Sequence, residues 1–222
     1  GEIVFQKFSA RYRPNTKIKL HKLSLTIKPG EKVGIVGRSG SGKSTMVLAL
    51  VRAIEGCGGK IMIDNVDIRQ VGLKKLRNSL NVISQDLSLF EGSLKYNIDP
   101  LGKHKDKEIE KALEELDFSY IYKESAEGLN RKVSEGGMNF SMSERQLIYA
   151  ARALLNQKHI VILDEFTSNL DYKKESLVNS ILFKTFNKST ILVIAHRIKT
   201  VMKCDKVLVL HNGKVAEYGN PN

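Results

Sequence analysis

The chain has 222 residues, with 36 Lys and Arg against 24 Asp and Glu, a formal net charge of +12, and 41% hydrophobic residues. That length supports a substantial core in one or two compact units, while no apolar run approaches the roughly 20 residues of a membrane span and no signal-peptide pattern opens the chain. The positive charge fits nucleic acid or anionic headgroups, but the lysines are dispersed without interleaved aromatics, so no nucleic-acid partner is expected; Cys57 and Cys204 form neither a metal spacing nor a disulfide framework and suit a reducing compartment. The first thirty residues alternate apolar and polar in short runs, as in Glu2-Ile3-Val4-Phe5 and Leu23-Ser24-Leu25-Thr26-Ile27, with turns at Pro14-Asn15 and Pro29-Gly30. This is the pattern of an antiparallel β segment. Lys32–Val36 reads as a short buried strand, followed by a glycine-rich loop and a helix up to Glu55 with Val47, Leu48, Val51 and Ile54 at helical spacing. A turn over Gly56–Gly59 then leads into a strand at Lys60–Asp64, a short basic helix spans Leu73–Leu80, and a strand over Asn81–Ser84 ends at Gln85.

From about Asp99 the strand signals vanish. Ile109, Ala112, Leu113 and Leu116 mark one face of a charged helix, a glycine-containing linker covers Gly128–Gly137, and Leu147, Ile148, Ala151, Leu154 and Leu155 mark a second helix. The α/β pattern resumes with His159–Leu163 running into Asp164, a helix carrying Leu177, Val178, Ile181 and Leu182, and the apolar strand Ile191–Ala195. Continuous apolar strands are those of a parallel sheet covered on both faces. Lys206–Leu210, Asn212-Gly213 and Val215–Tyr218 close the chain as a hairpin.

The organising motif is Gly37-Arg38-Ser39-Gly40-Ser41-Gly42-Lys43-Ser44, which fits G-x-x-x-x-G-K-[ST], a phosphate loop. A strand precedes it and a helix comes after, so backbone N–H groups and the helix N-terminus converge on an anion. In this motif Lys43 reaches the β- and γ-phosphates and the Ser44 hydroxyl ligates Mg²⁺, so the chain is expected to bind a nucleoside triphosphate. Ile160-Val161-Ile162-Leu163-Asp164-Glu165 is the matching acidic partner: Asp164 for Mg²⁺, Glu165 for the attacking water. Two acids ending a strand are common by themselves; the phosphate loop gives the pair its meaning. His196 and Gln85 each end a strand expected in the same sheet, which places His196 for a γ-phosphate contact and Gln85 for Mg²⁺ or the attacking water.

In this order the elements resemble the nucleotide-binding domain of an ABC transporter over essentially the whole chain. The resemblance implies an α/β phosphate-loop NTPase core of the RecA-like type, with an N-terminal antiparallel β-subdomain and an inserted α-helical subdomain. It sets the β-subdomain at about 1–30 and 60–70, the ATP-binding core at 31–97 and 157–222, and the helical subdomain at 98–156. It implies ATP and Mg²⁺, held by 37–44 and the adjoining Thr45. Tyr12, in Arg11-Tyr12-Arg13-Pro14, looks like the aromatic that stacks on adenine, Gln85 like the Q-loop, Ser168-Asn169-Leu170-Asp171 like the D-loop and His196 like the switch histidine. Asn139-Phe140-Ser141-Met142-Ser143-Glu144-Arg145-Gln146 falls where the LSGGQ signature belongs. Phe90–Pro100 and Arg11–Pro14 look like the C subfamily, the multidrug-resistance-protein exporters and a related channel, and most like their second, carboxyl-terminal cassette.

The resemblance further implies an ATPase at the cytoplasmic face of a membrane, one domain of a transporter. ATP would close it head to tail against a second nucleotide-binding domain, with transmembrane domains contacted through the Q-loop and 86–97 and the isolated domain monomeric. The signature departs from the pattern. Met142 and Ser143 replace its glycines and Glu144 its glutamine, bringing a Cβ and a carboxylate toward a polyanion. The partner's ATP is therefore expected to turn over poorly opposite Ser141, while the site of Lys43, Asp164, Glu165 and His196 hydrolyses. Ser84 and Leu87 flank Gln85, and Phe166 comes after Glu165, where relatives often carry proline. Two other readings are an ATP-gated channel module with little turnover, disfavoured by Glu165, and a soluble ABC ATPase acting on nucleic acid, disfavoured by the single cassette.

Overall fold

Alternating apolar residues build the first sheet. β1 (Ile3–Ala10) buries Ile3, Phe5, Phe8 and Ala10, and β2 (Leu20–Ile27) buries Leu20, Leu23, Leu25 and Ile27. The step from Phe5 to Phe8 breaks strict alternation, and the ladder takes it up as a register shift, with Lys7 at φ +45°. The computed structural model describes residues 1–84, 87–195 and 198–221, and of Ile198 the backbone alone.

The chain divides into two compact units, one of residues 1–82, 158–165 and 186–222, the other of 83–157 and 166–185. In the first, β3 (Lys32–Val36) leads through the phosphate loop into α1 (Lys43–Leu50). β4 (Gly56–Ile63) pairs antiparallel with β1 and with β5 (Val66–Asp67), giving the order β2-β1-β4-β5. The expected turn over Gly56–Gly59 is instead strand. Its glycines answer to packing: a Cβ on Gly56 would meet the Phe8 ring at 2.5 Å, and one on Gly59 would meet the Gln6 and Lys7 carbonyls at 2.3 Å. The helix expected to run to Glu55 stops at Leu50, because Arg52 takes φ +49° and breaks the ladder.

Next come α2 (Leu73–Ser79) and β6 (Leu80–Ile83). β6 is the edge of the second sheet, whose other strands are β9 (Ile160–Asp164), β10 (Thr190–Ile194), β11 (Lys206–His211) and β12 (Lys214–Gly219), together with β3. Its order is β12-β11-β3-β10-β9-β6. β3 pairs parallel with β10 and β11, β10 pairs parallel with β9, and β12 returns antiparallel on β11. β10 is buried throughout and β9 at every position but Asp164, as strands covered on both faces must be. The carboxyl ends of β3 and β9 thus carry the phosphate loop and Asp164 at one edge of one sheet, with β10 between them.

The second unit contains α3 (Leu94–Ile98), α4 (Asp106–Glu115), α5 (Tyr120–Lys123), α6 (Met142–Leu155) and α7 (Tyr172–Thr185). Ile109, Leu113, Leu116, Phe118, Leu147, Ile148 and Ala151 fill it. It is not wholly helical: β7 (Gly92–Ser93) pairs with β8 (Lys132–Val133), so the stretch expected as a linker over 128–137 is structured. The expected helical subdomain 98–156 lies inside this unit, which also takes in 83–97 and 166–185. α8 (Ile198–Val201) is a single turn before β11.

Candidate nucleotide-binding site

The phosphate loop is shaped by contacts that exclude side chains. A Cβ on Gly37 would lie 2.4 Å from both the Leu210 carbonyl and Ser41 Oγ, and Gly40 and Gly42 hold φ +76° and +110°. The Ser41 N–H closes a turn on the Arg38 carbonyl at 3.1 Å. Lys43 Nζ reaches back to the Gly37 carbonyl at 2.8 Å and the Arg38 carbonyl at 3.4 Å, so its ammonium lies within the span of the loop. Gly42 precedes α1 as its N-cap, with no side-chain cap and no acidic residue in the first turn. The helix's leading N–H groups and partial positive charge are therefore directed at the loop without competition from a carboxylate. Among the described residues the buried Ser41 hydroxyl has no hydrogen-bond partner, which in a loop of this shape marks a place for a ligand oxygen.

Tyr12 sits in the turn after β1, 49% exposed, and its hydroxyl lies 3.0 Å from Thr45 Oγ1 in the first turn of α1. An open aromatic face is thereby tied to the helix that carries Lys43. Nothing in the sequence pairs Tyr12 with Thr45; the hydroxyl contact is legible only in three dimensions. Ser44 is exposed on the same turn of α1. Asp164 ends β9, and the next residue, Glu165, takes φ +51° while its N–H donates to the Ile194 carbonyl of β10 at 2.9 Å. A glutamate held in the left-handed region is a strained residue that the surrounding sheet maintains, a condition that clusters at functional positions.

The expected D-loop and signature belong to the second unit. Asp171 opens α7: its carboxylate accepts the Lys174 N–H at 2.9 Å and its carbonyl the Glu175 N–H at 2.8 Å, with Ser168 exposed beside it. Ser141 caps α6. Its hydroxyl accepts the Glu144 N–H at 3.2 Å, while the Glu144 carboxylate accepts both the Ser141 N–H, at 2.7 Å, and the Ser141 hydroxyl, at 2.8 Å. Ser143 Oγ is 3.1 Å from Ser141 Oγ, and Met142 is exposed. The Glu144 carboxylate, expected to face outward toward a polyanion, is turned back onto the serine. Gln85 and His196 lie outside the described residues.

A mostly parallel sheet carrying a phosphate loop and an Asp-Glu pair, with an antiparallel β-sheet in the same unit, defines a phosphate-loop ATPase. Residues 20–168 match the family model of the ABC transporter. The chain belongs to the ABC transporter family and is its ATP-binding cassette, the ATPase domain. Over 221 residues it is 43% identical to ATP-binding cassette sub-family C member 2 of Rattus norvegicus, covering 100% of this chain and 14% of that protein. Over 222 residues it is 44% identical to the metal resistance protein YCF1 of Saccharomyces cerevisiae, covering 100% of this chain and 15% of that one. A bacterial Atm1-family ABC exporter solved with ATP bound superposes with a TM-score of 0.94 at 32% identity, over 99% of this chain and 39% of the exporter chain. The chain thus spans 14% and 15% of the length of the rat and yeast relatives.

Proposed function

We propose that this chain is the second nucleotide-binding domain of a C-subfamily exporter, lying at the cytoplasmic face of a membrane, and that it hydrolyses ATP only when paired head to tail with the other cassette. The observation that carries this reading is a contrast within one chain. Lys43 lies within the phosphate loop and Asp164-Glu165 follows at the end of β9, the residue types a hydrolytic site needs, whereas both donors of Ser141 are engaged by Glu144.

Adenine stacks on Tyr12, the loop 37–45 cradles the phosphates, and Lys43 places its charge where negative charge builds on the transferring group. Glu165 polarises the attacking water; Gln85 and His196 take the Q-loop and switch roles. Ser44 and Asp164 offer a hydroxyl and a carboxylate, hard oxygen donors that suit Mg²⁺. Held by Ser44 and Asp164, Mg²⁺ would supply charge neutralisation for phosphoryl transfer.

A carboxylate only accepts hydrogen bonds, so Glu144 takes up the hydroxyl proton that Ser141 would otherwise give to a phosphate. A glutamine at that position would hold that proton on a neutral carbonyl, a weaker acceptor that yields it to a phosphate more readily. The partner's ATP, facing this signature, is accordingly held with slow turnover, and transport is driven from the Lys43 site.

No helix among the described residues is long and apolar enough to cross a membrane, so the reading requires transmembrane domains elsewhere. Phe90 and Tyr96, 59% and 46% exposed and edge to face at 6.4 Å, offer them an apolar docking face within 86–97. Lys43→Ala in the paired cassettes tests the assignment: ATP turnover of the pair should fall to near background, and a pair that retains most of its rate would place hydrolysis at the other site.

A further inference from the structure

The hairpin turn between β11 and β12 grips the phosphate loop from behind. Asn212 and Gly213 both have positive φ, +48° and +73°, the form of a two-residue type I′ turn. The Gly213 N–H donates to the Ser41 carbonyl at 2.9 Å, and the Gly213 carbonyl accepts the His21 N–H at 2.8 Å. One residue therefore joins the loop to β2. A Cβ on Gly213 would stand 2.1 Å from the Lys19 carbonyl, and one on Gly42 would stand 2.9 Å from the Leu20 side chain and 3.5 Å from Gly213 Cα. The other end of the loop bears on the same hairpin, since Gly37 is pressed against the Leu210 carbonyl.

We propose that Gly213 is a positioning residue for nucleotide binding, acting through Ser41. The Ser41 carbonyl and the Gly42 N–H belong to one planar trans peptide and point in opposite directions. Fixing the carbonyl outward against Gly213 aims the Gly42 N–H inward, as one of the loop amides that meet the phosphates. Gly213 touches no nucleotide; it sets the tilt of a peptide that does. This rests on the assignment of 37–44 as the nucleotide site.

Replacing the Gly213 amide by an ester removes the N–H and adds no atom. It is accessible by ligating a synthetic 204–222 segment through the native Cys204. ATP affinity should fall about 3- to 10-fold, as expected for one backbone hydrogen bond. AMP, which lacks the β- and γ-phosphates, should lose less than about 2-fold in competition with ATP, a fraction of that same bond. An ester at Glu217, in the same hairpin away from the loop, should leave both affinities unchanged, and Gly213→Ala should weaken ATP further by forcing a Cβ onto Lys19. Should Gly213→Ala fail to fold, the ester still decides. An ester protein that binds ATP as tightly as the unmodified chain, or loses ATP and AMP affinity in equal proportion, overturns the proposal. An unmodified chain that binds no ATP would instead overturn the assignment of the loop itself.

Discussion

The carboxylate of Glu144 accepts two hydrogen bonds from Ser141, one from its N–H at 2.7 Å and one from its hydroxyl at 2.8 Å. Ser141 is thus satisfied within its own helix cap. Glu144→Gln keeps the cap through the amide carbonyl and leaves the hydroxyl proton on a neutral, weaker acceptor. In paired cassettes with Glu165→Gln silencing this chain's own site, Glu144→Gln should raise the residual ATP turnover about 5-fold, from the difference of roughly 1 kcal/mol between a charge-assisted and a neutral hydrogen bond. An unchanged residual rate would show that the cap does not restrain the partner's site. Adding glycine at 142 and 143 extends the same test to the Cβ atoms.

Asn97 is fully buried and serves three main-chain groups: it accepts the Phe90 N–H at 2.9 Å and donates to the Phe90 and Ser93 carbonyls at 2.8 and 3.1 Å. Arg152 of α6 in turn donates to the Asn97 carbonyl at 2.8 Å. Asn97→Ala removes three hydrogen bonds to main-chain groups and should cost roughly 2–4 kcal/mol. Urea unfolding measures it; a loss under about 1 kcal/mol would mean that water or a shifted backbone replaces the amide.

Glu31 makes stability depend on acid pH. Burial alone would raise its carboxyl, but hydrogen bonds from Lys206 Nζ, the Lys28 N–H and the Tyr218 hydroxyl outweigh burial and hold it below the ordinary 4.5. A carboxyl depressed in the folded state contributes stability that is present above 4.5 and lost as pH falls through the folded value. Glu31→Gln should therefore lower Tm at pH 7 and lose less further Tm than the unmodified chain on acidification below about 4.5. Parallel Tm-against-pH curves for the two proteins would remove Glu31 from the acid transition.

The two cysteines should separate cleanly toward alkylation. Cys57 is exposed on β4, whereas Cys204 is buried and its thiol is pushed up to about 12 by burial and by Asp205. Since the thiolate is the reactive form, iodoacetamide at about pH 8 should modify Cys57 and leave Cys204 intact until the chain unfolds. Equal labelling of both in the folded chain would contradict the burial of Cys204.

Much of the cassette is legible in the sequence because its signals are local. Lys32–Val36, the loop 37–44 and Asp164-Glu165 lie within short runs whose residue types state their own chemistry, and Asn212-Gly213 is a turn by composition alone. The glycines at 56–59 mislead because a turn and a tightly packed strand need the same missing Cβ; only the Phe8 ring, brought in from β1, distinguishes them. The early end of α1 depends on Arg52 at φ +49°, which nothing in that residue's type announces. The Gly213–Ser41 contact joins residues far apart in sequence and depends on β11 pairing with β3. The backward turn of Glu144 is within reach of the capping pattern Ser-x-x-Glu, but the same four residues also resemble a signature, which directs the serine at phosphate rather than at its own helix.

Glu165→Gln, with ATP turnover measured alone and with the other nucleotide-binding domain present, decides whether this chain carries the hydrolytic half of a composite site. The unmodified chain should bind ATP with little turnover alone and become active in the pair. Glu165→Gln should bind ATP as well, accumulate an ATP-bound pair, and lose turnover by about 100-fold or more, the scale of a lost general base. Full activity of the isolated chain, or a Glu165→Gln pair that turns over at the unmodified rate, would contradict it.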